Sequence, residues 1–260
     1  MGGRRRVKLA LRQLSHDYVV SRSLDKNPSW NAGLHLDKVV CRSISNWYDQ
    51  APLSTGTEQE ALQYRILKED TLEQFELLRK NGVSIEPWLA DGQPYTSSAA
   101  LSDQLHGEQK LYVYLTANGH GEGAATEDAQ RPADHPMLEP SPVTSRGVRF
   151  LFNDLFRAVH DAFGHAARGN RFTARGEFMA AWDHMKMYPP ACHPVLLSET
   201  VGQICWFYFG PHVRRPDGSV PVPADSDYVP PARRPYSPQK TVPMPDELLS
   251  AFRSLFKQVS

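Results

Sequence analysis

The sequence predicts an α+β chain, mainly helical, folded as one domain over residues 1–260, with a few short strands and a proline-rich C-terminal strap. Three observations lead there. Apolar residues recur at helical spacing over long stretches. Strand-like text is confined to two short runs, and ten of the 21 prolines fall between Pro211 and Pro245. No internal repeat and no clean linker divides the 260 residues, a length that can bury a substantial core.

The elements follow in chain order. Arg4, Arg5, Arg6 and Lys8 precede Leu9, Leu11 and Leu14, a short basic amphipathic segment that reads as a solvated arm. Residues 34–49 and 57–80 read as helices. In the second, Leu62, Ile66, Leu67, Leu72, Phe75 and Leu78 lie at helical spacing among charged positions, and Asn81-Gly82 ends it. Residues 83–89 and the alternating Lys110-Leu111-Tyr112-Val113-Tyr114-Leu115 read as short strands. Residues 116–147 form a long polar connection. Its Gly119, Gly121 and Gly123 lack the following helix and the Lys-Ser/Thr that a phosphate loop needs. From Phe150 to Phe209 the pattern is helical, and a metal-site core spans about residues 148–212. The strap, about 211–245, cannot form regular helix, and Gln239-Lys240 within it reads as a surface turn. A last helix over 246–259 follows Pro245.

Composition narrows the function classes. Lys plus Arg and Asp plus Glu number 29 each, so the basic excess typical of a nucleic-acid binder is missing. Cys41, Cys192 and Cys205 are too scattered for a disulfide framework or a Cys-x-x-Cys metal knuckle, and free thiols suit a reducing cytoplasm. The basic start is followed by no uninterrupted apolar stretch, and no apolar run is long enough to span a bilayer. The expectation is a soluble cytoplasmic protein whose partners are small molecules, with no membrane or nucleic acid.

The chemistry concentrates in three blocks. They are Asn153 through His165, containing His160-Asp161-Ala162-Phe163-Gly164-His165; Arg175-Gly176-Glu177 through Asp183-His184; and Ser198-Glu199 through Gln203, running into Cys205-Trp206-Phe207-Tyr208-Phe209. Histidines and acids on apolar helices need partners, because breaking a buried pair costs about 3–5 kcal/mol. A divalent metal satisfies such a set, since neutral imidazole and ionised carboxylate are its natural ligands. Asp161 and His165 are four residues apart and share a helix face, as do Glu177 and His184 two turns apart, and Glu199 and Gln203. His160 and His165, five apart, would diverge by about 140° on a regular helix. Both can face one ion only if the helix ends or bends near Gly164, a residue suited to such a break.

The His160–His165 text resembles the His-Asp/Glu-x-x-Gly-His motif of the pterin-dependent aromatic amino acid hydroxylases, matching every fixed position. In that family a later glutamate beside a Trp-Phe pair completes a two-histidine, one-carboxylate iron site. Glu199, 34 residues after His165, takes that place here, although Trp206-Phe207 follows the glutamate instead of preceding it. The blocks are also similar to a phage and bacterial protein group without assigned activity, which shares the His-Asp-x-x-Gly-His, Gly-Glu and Phe-Gly-Pro-His texts. The resemblance implies that His160, His165 and Glu199 bind Fe(2+), with Asp161, Glu177 and His184 orienting ligands or moving protons. It implies a monooxygenase-like oxidoreductase using dioxygen, a small-molecule substrate and an external reductant. Open alternatives are a di-iron oxygenase drawing on all six residues, a Zn(2+)-dependent hydrolase, and a non-catalytic metal-stabilised interaction module using Arg4–Lys8. The Glu-x-x-His pairs of di-iron bundles and the His-Glu-x-x-His of zinc peptidases are both missing. Glu199 can alternatively be read as a helix-start carboxylate capped by Ser198. His193 and His212, beside prolines, are left outside the metal set.

Overall fold

A computed structural model describes residues 9–118 and 134–258. The Arg4–Lys8 arm and the Gly119–Gly123 stretch lie outside these residues. The fold is α+β and mainly helical. Helices α1 (Leu11–Ser21), α2 (Lys38–Gln50) and α3 (Glu58–Lys80) are followed by strand β2 (Ser84–Trp88), helix α4 (Ser98–Glu108) and strand β3 (Lys110–Tyr114). Because α4 carries the chain back over the sheet, β2 and β3 pair in parallel, with Ile85 opposite Leu111. A hairpin of β4 (Pro140–Ser145) and β5 (Val148–Leu151) leads into α5 (Phe152–Val159). Then come α6 (Ala174–Met185), α7 (His193–Leu197), α8 (Gln203–Phe209) and α9 (Asp246–Ser254). Strand β6 (Phe256–Gln258) returns to pair antiparallel with β1 (Ala32–Leu34) near the start.

Several elements depart from the sequence expectation, each for a local reason. Helix α4 buries only Leu101 and Leu105 of its apolar residues fully, too sparse a stripe to advertise itself, and Ser97 caps it by accepting from the Ala100 N–H. Residues 148–151 are strand, and the helix starts only at Phe152. There the Asp154 carboxylate accepts from the Leu151 N–H at 2.8 Å and from the Thr116 N–H and hydroxyl. The last helix stops at Ser254 because the chain beyond it is recruited into the β1–β6 ladder.

Helix α5 separates two hydrophobic clusters. Leu155, Ala158 and Val159 pack into one with α1, α4 and the β2–β3 pair, while Phe156 turns to the other with α6, α7 and α9. His160 and His165 continue this helix, and so sit on the seam. Between α8 and α9 the proline-rich strap carries only isolated helical turns. Its end is buried: Ser237, Gln239, Lys240, Thr241 and Val242 lie inside. The surface turn expected at Gln239-Lys240 is therefore corrected. The Lys240 ammonium donates to the Asp49 and Ala51 carbonyls at the C-terminus of α2, at 2.9 and 2.5 Å, where the helix leaves acceptors unfilled. Thr241 donates to Glu60 at 2.5 Å, and Tyr48 donates to the Pro238 carbonyl at 2.6 Å. No helix among the described residues is long and apolar enough to cross a membrane.

Candidate metal centre

After Val159 the chain does not end or bend at Gly164. It widens. Residues His160–Ala166 form a π-helical turn, in which the Ala167 N–H donates to the Ala162 carbonyl at 2.9 Å, five residues back. An i→i+5 turn brings residues five apart onto one side, which a regular helix cannot do. His160 and His165 therefore meet, with ring centroids 5.0 Å apart and planes nearly perpendicular. Gly164 serves a different purpose from the expected break: a Cβ there would lie 3.2 Å from Ala180 of α6 and 3.3 Å from the His160 ring. Its bareness lets α6 pack against the wide turn.

That packing delivers a carboxylate. Helix α6 opens with Thr173 accepting from the Gly176 N–H at 3.2 Å. The preceding turn folds so tightly over Gly176 that a Cβ there would meet the Arg171 carbonyl oxygen at 1.8 Å. Glu177, in the first turn, then faces the two histidines. Its Oε2 lies 3.3 Å from His165 Nε2 and 3.8 Å from His160 Nε2. Ligand atoms of His160, His165 and Glu177 all fall within 4.8 Å of one another, the one such group of three among the described residues. Ligands bound at about 2.1 Å and roughly at right angles would stand about 3 Å apart, so a small inward shift accommodates an ion.

Here the structure departs from the sequence reading. The carboxylate grouped with the two imidazoles is Glu177, expected as an accessory group, and not Glu199. The Glu199 carboxylate is engaged elsewhere: Tyr64 donates to it at 2.5 Å, Gln203 donates at 3.1 Å, and His135 Nε2 lies 3.3 Å away. It does not start a helix either. It sits in a second π turn, Ser198–Gly202, between α7 and α8, and the Ser198 hydroxyl donates to the Pro194 and Val242 carbonyls. His184 is a supporting group, and Asp161 lines a cavity beside His165 without entering the triad.

Hydrogen bonds fix which nitrogen each histidine presents. Gln74 of α3 donates its amide to the Met187 carbonyl at 3.0 Å, which turns Oε1 toward His184. His184 must then donate from Nε2 to that oxygen, at 2.9 Å, leaving Nδ1 as an acceptor. His160 donates from Nδ1 to it at 3.2 Å, so the His160 Nε2 lone pair points toward Glu177. His165 reaches the same state more directly, donating from Nδ1 to the Asn170 carbonyl at 3.0 Å. Asn170 is itself held by bonds to the Gly164 carbonyl and Asp183. Both rings thus offer Nε2 to one point, with the second nitrogen anchored, which is how metal-binding histidines are oriented.

The charges agree. Burial, reinforced by His160 and His165, drives His184 well below the ordinary imidazole value, keeping it neutral as the relay requires. Burial alone would raise Glu177, but His165 and His160 outweigh it and hold the carboxyl at about 2. For His165 burial works downward, and Glu177 first and Asp161 after it lift the imidazole above its usual value. Asp161 is raised by burial against the pull of His165, His160 and Arg157.

Two cavities flank the site and share Arg157, His160 and Glu177 as a common wall. One, about 200 Å³, is bounded further by Phe156, Glu199, Gln203 and Gln239. The other, about 300 Å³, is bounded by Tyr95, Tyr114, Asp161 and Phe172. The two histidines left out of the set stand apart from it. His193 is buried against the Met185 and Tyr188 carbonyls, and His212 packs on Trp206 at 4.1 Å. Gln74, Asn170 and Tyr64 escaped sequence reasoning. Only Gln74 and Tyr64, polar groups in the apolar stripe of α3, left any trace. The chain matches no family model, no curated protein and no solved structure. What stands is a His-His-Glu group within metal-binding distance, with His165 buried and His160 and Glu177 partly exposed.

Proposed function

We propose that this chain is a mononuclear non-haem iron oxygenase acting on a small molecule, with a ferrous ion held by His160, His165 and Glu177. One observation carries the reading: two imidazoles with anchored Nδ1 atoms aim Nε2 at a single carboxylate, at the wall between two cavities. Two histidines and one carboxylate leave about three positions open on an octahedral ion, the donor set of non-haem iron oxygenases. The local resemblance to the aromatic amino acid hydroxylases supports the two histidines, while the carboxylate proposed here lies only 12 residues after the second of them.

Bound iron would supply dioxygen activation, with electrons from an external reductant. The protein supplies the rest. Gln74 and His184 hold His160 in one tautomer, and Asn170 does the same for His165. Asp161, with its carboxyl raised by burial and open to the larger cavity, can hold a proton beside the substrate. Phe156, packed against His160, and Phe172, packed against His165, shield the rings from water.

The test is anaerobic purification, ferrous loading and elemental analysis, followed by oxygen uptake with ascorbate as reductant. The proposal expects one iron per chain and oxygen consumption, both lost in His165→Ala. Tight zinc with no response to oxygen would replace it with a hydrolase, in which three ligands and one water complete a tetrahedral site.

A further inference from the structure

The geometry points to a phosphate-binding site in a cavity formed by the first part of the proline-rich strap, where Arg214 and Arg234 grip the phosphate group of a small organic monoester. This cavity, about 250 Å³, shares no lining residue with the two cavities beside the metal centre, so the inference stands apart from the oxygenase reading.

The site begins at the Phe209-Gly210-Pro211-His212 text, which the metal centre leaves unused. Helix α8 stops at Phe209, and the chain turns back closely. A Cβ at Gly210 would lie 2.2 Å from the Trp206 carbonyl oxygen and 2.7 Å from the His212 ring. The bare Gly210 thus lets the His212 ring sit on the Trp206 indole, with centroids 4.1 Å apart. Neither ring nitrogen forms a hydrogen bond among the described residues; the Phe207 carbonyl bears on the ring without bonding geometry. Arg214 follows directly on this turn, and the strap returns with Arg234 to line the same cavity as His212.

The charges around the cavity are unevenly matched. Arg215 is balanced, donating to Asp225 at 2.7 Å and to Asp227 at 2.8 Å, and both acids are thereby committed. Arg214 and Arg234 reach neutral acceptors and form no ion pair among the described residues. Arg214 donates to the Gly210 carbonyl at 3.1 Å and to Asn46 Oδ1 at 2.7 Å. Arg234 donates to the Val229 and Phe207 carbonyls at 3.1 and 3.5 Å, and its guanidinium lies over the Phe207 and Tyr208 rings. Asp49 of α2, a further acid bearing on His212, is exposed and accepts from the Trp206 N–H at 2.8 Å. A guanidinium carries more N–H groups than either arginine uses, so both keep donors for a ligand. One planar fork fills a carboxylate edge, whereas the terminal oxygens of a phosphate monoester take two forks at once. The charge of such a group, about −1.5 to −2 near pH 7, also matches two guanidiniums. Val213, Val220, Pro221, Tyr228 and Val229 leave much of the remaining wall apolar. At roughly 30 Å³ per water-sized unit the cavity admits about eight non-hydrogen atoms, a phosphate group with a short arm beside Tyr228.

Phenyl phosphate is the probe, with inorganic phosphate testing the arm and benzoate testing the need for the phosphate group. Calorimetric titration uses the full chain, metal-free so that phosphate bound to an ion is not counted. The expected result is phenyl phosphate binding at least tenfold tighter than benzoate, with inorganic phosphate between them. Arg214→Gln and Arg234→Gln should each weaken phenyl phosphate at least tenfold. Val220→Asp, at a wall residue 48% exposed, should weaken it by adding a negative charge, and His165→Ala should leave the affinity within twofold. Benzoate or inorganic phosphate bound as tightly as phenyl phosphate, no phenyl phosphate binding at millimolar concentration, full affinity in both arginine variants, or loss of affinity in His165→Ala would each overturn the inference. Should Arg234→Gln fail to fold, Arg214→Gln, which gives up a bond to the exposed Asn46, and the wild-type comparison of the three probes still decide.

Discussion

Replacing Glu177 with Gln keeps the shape of the side chain and removes the one carboxylate that the two imidazoles share. In the metal-free protein Glu177 is held at about 2 against an ordinary 4.5, with His165 and His160 as the stabilising partners. At about 1.4 kcal/mol per pH unit, that difference corresponds to about 3 kcal/mol of stabilisation of the ionised form. The sign follows from the direction. A depressed carboxyl contributes stability above its unfolded value of 4.5, and loses it as pH falls toward 2. The raised His165 contributes below its unfolded value of 6.5 and loses its share as pH rises through its folded value. The two describe one interaction, so the advantage of wild type over Glu177→Gln is greatest between about pH 4.5 and 6.5. Urea unfolding of metal-free protein should show the variant about 1–3 kcal/mol less stable at pH 6, with the gap closing toward pH 3. Equal stabilities at pH 6, or a gap independent of pH, would refute the reasoning.

Zinc or cobalt affinity should rise between pH 6 and 8, because His165 must give up its proton to present Nε2; a flat profile by competition titration would contradict this. Gln74→Leu, which releases the tautomer of His184 and hence of His160, should cost about 10–100-fold in metal affinity, whereas His193→Ala should change it less than twofold. Elemental analysis of Glu199→Gln should find metal at wild-type stoichiometry, since Tyr64, Gln203 and His135 hold that carboxylate; loss of the ion would return Glu199 to the ligand set. Gly176→Ala should destabilise by more than about 1–3 kcal/mol in thermal unfolding, because its Cβ would fall 1.8 Å from the Arg171 carbonyl oxygen. Gly164→Ala, with its nearest contact at 3.2 Å, should cost less.

The sequence was informative where chemistry and periodicity coincide. Helix α3 and the two short strands follow from apolar spacing, and the paired histidines follow from imidazoles set in apolar helical text. Helix α4 was hidden because its stripe rests on Leu101 and Leu105. The π turn was hidden for a deeper reason: the five-residue spacing of His160 and His165 signals that a regular helix fails, but not whether it breaks or widens. Widening avoids exposing backbone groups at a buried seam, and Gly164 and Ala180 make the room. The exchange of Glu199 for Glu177 has the same origin. Both acids lie on helices entering the site, and the choice depends on the Gly176 turn, a contact between neighbouring backbones with no period to read. Gln74 and Asn170 act through carbonyls whose positions exist only in the folded chain.

The most direct test is anomalous diffraction at the iron edge from crystals loaded anaerobically with ferrous ion. One peak is expected, about 2.0–2.2 Å from His160 Nε2, His165 Nε2 and a Glu177 oxygen. A peak centred on Glu199 and His135, or no peak at the histidines after loading, would contradict the account.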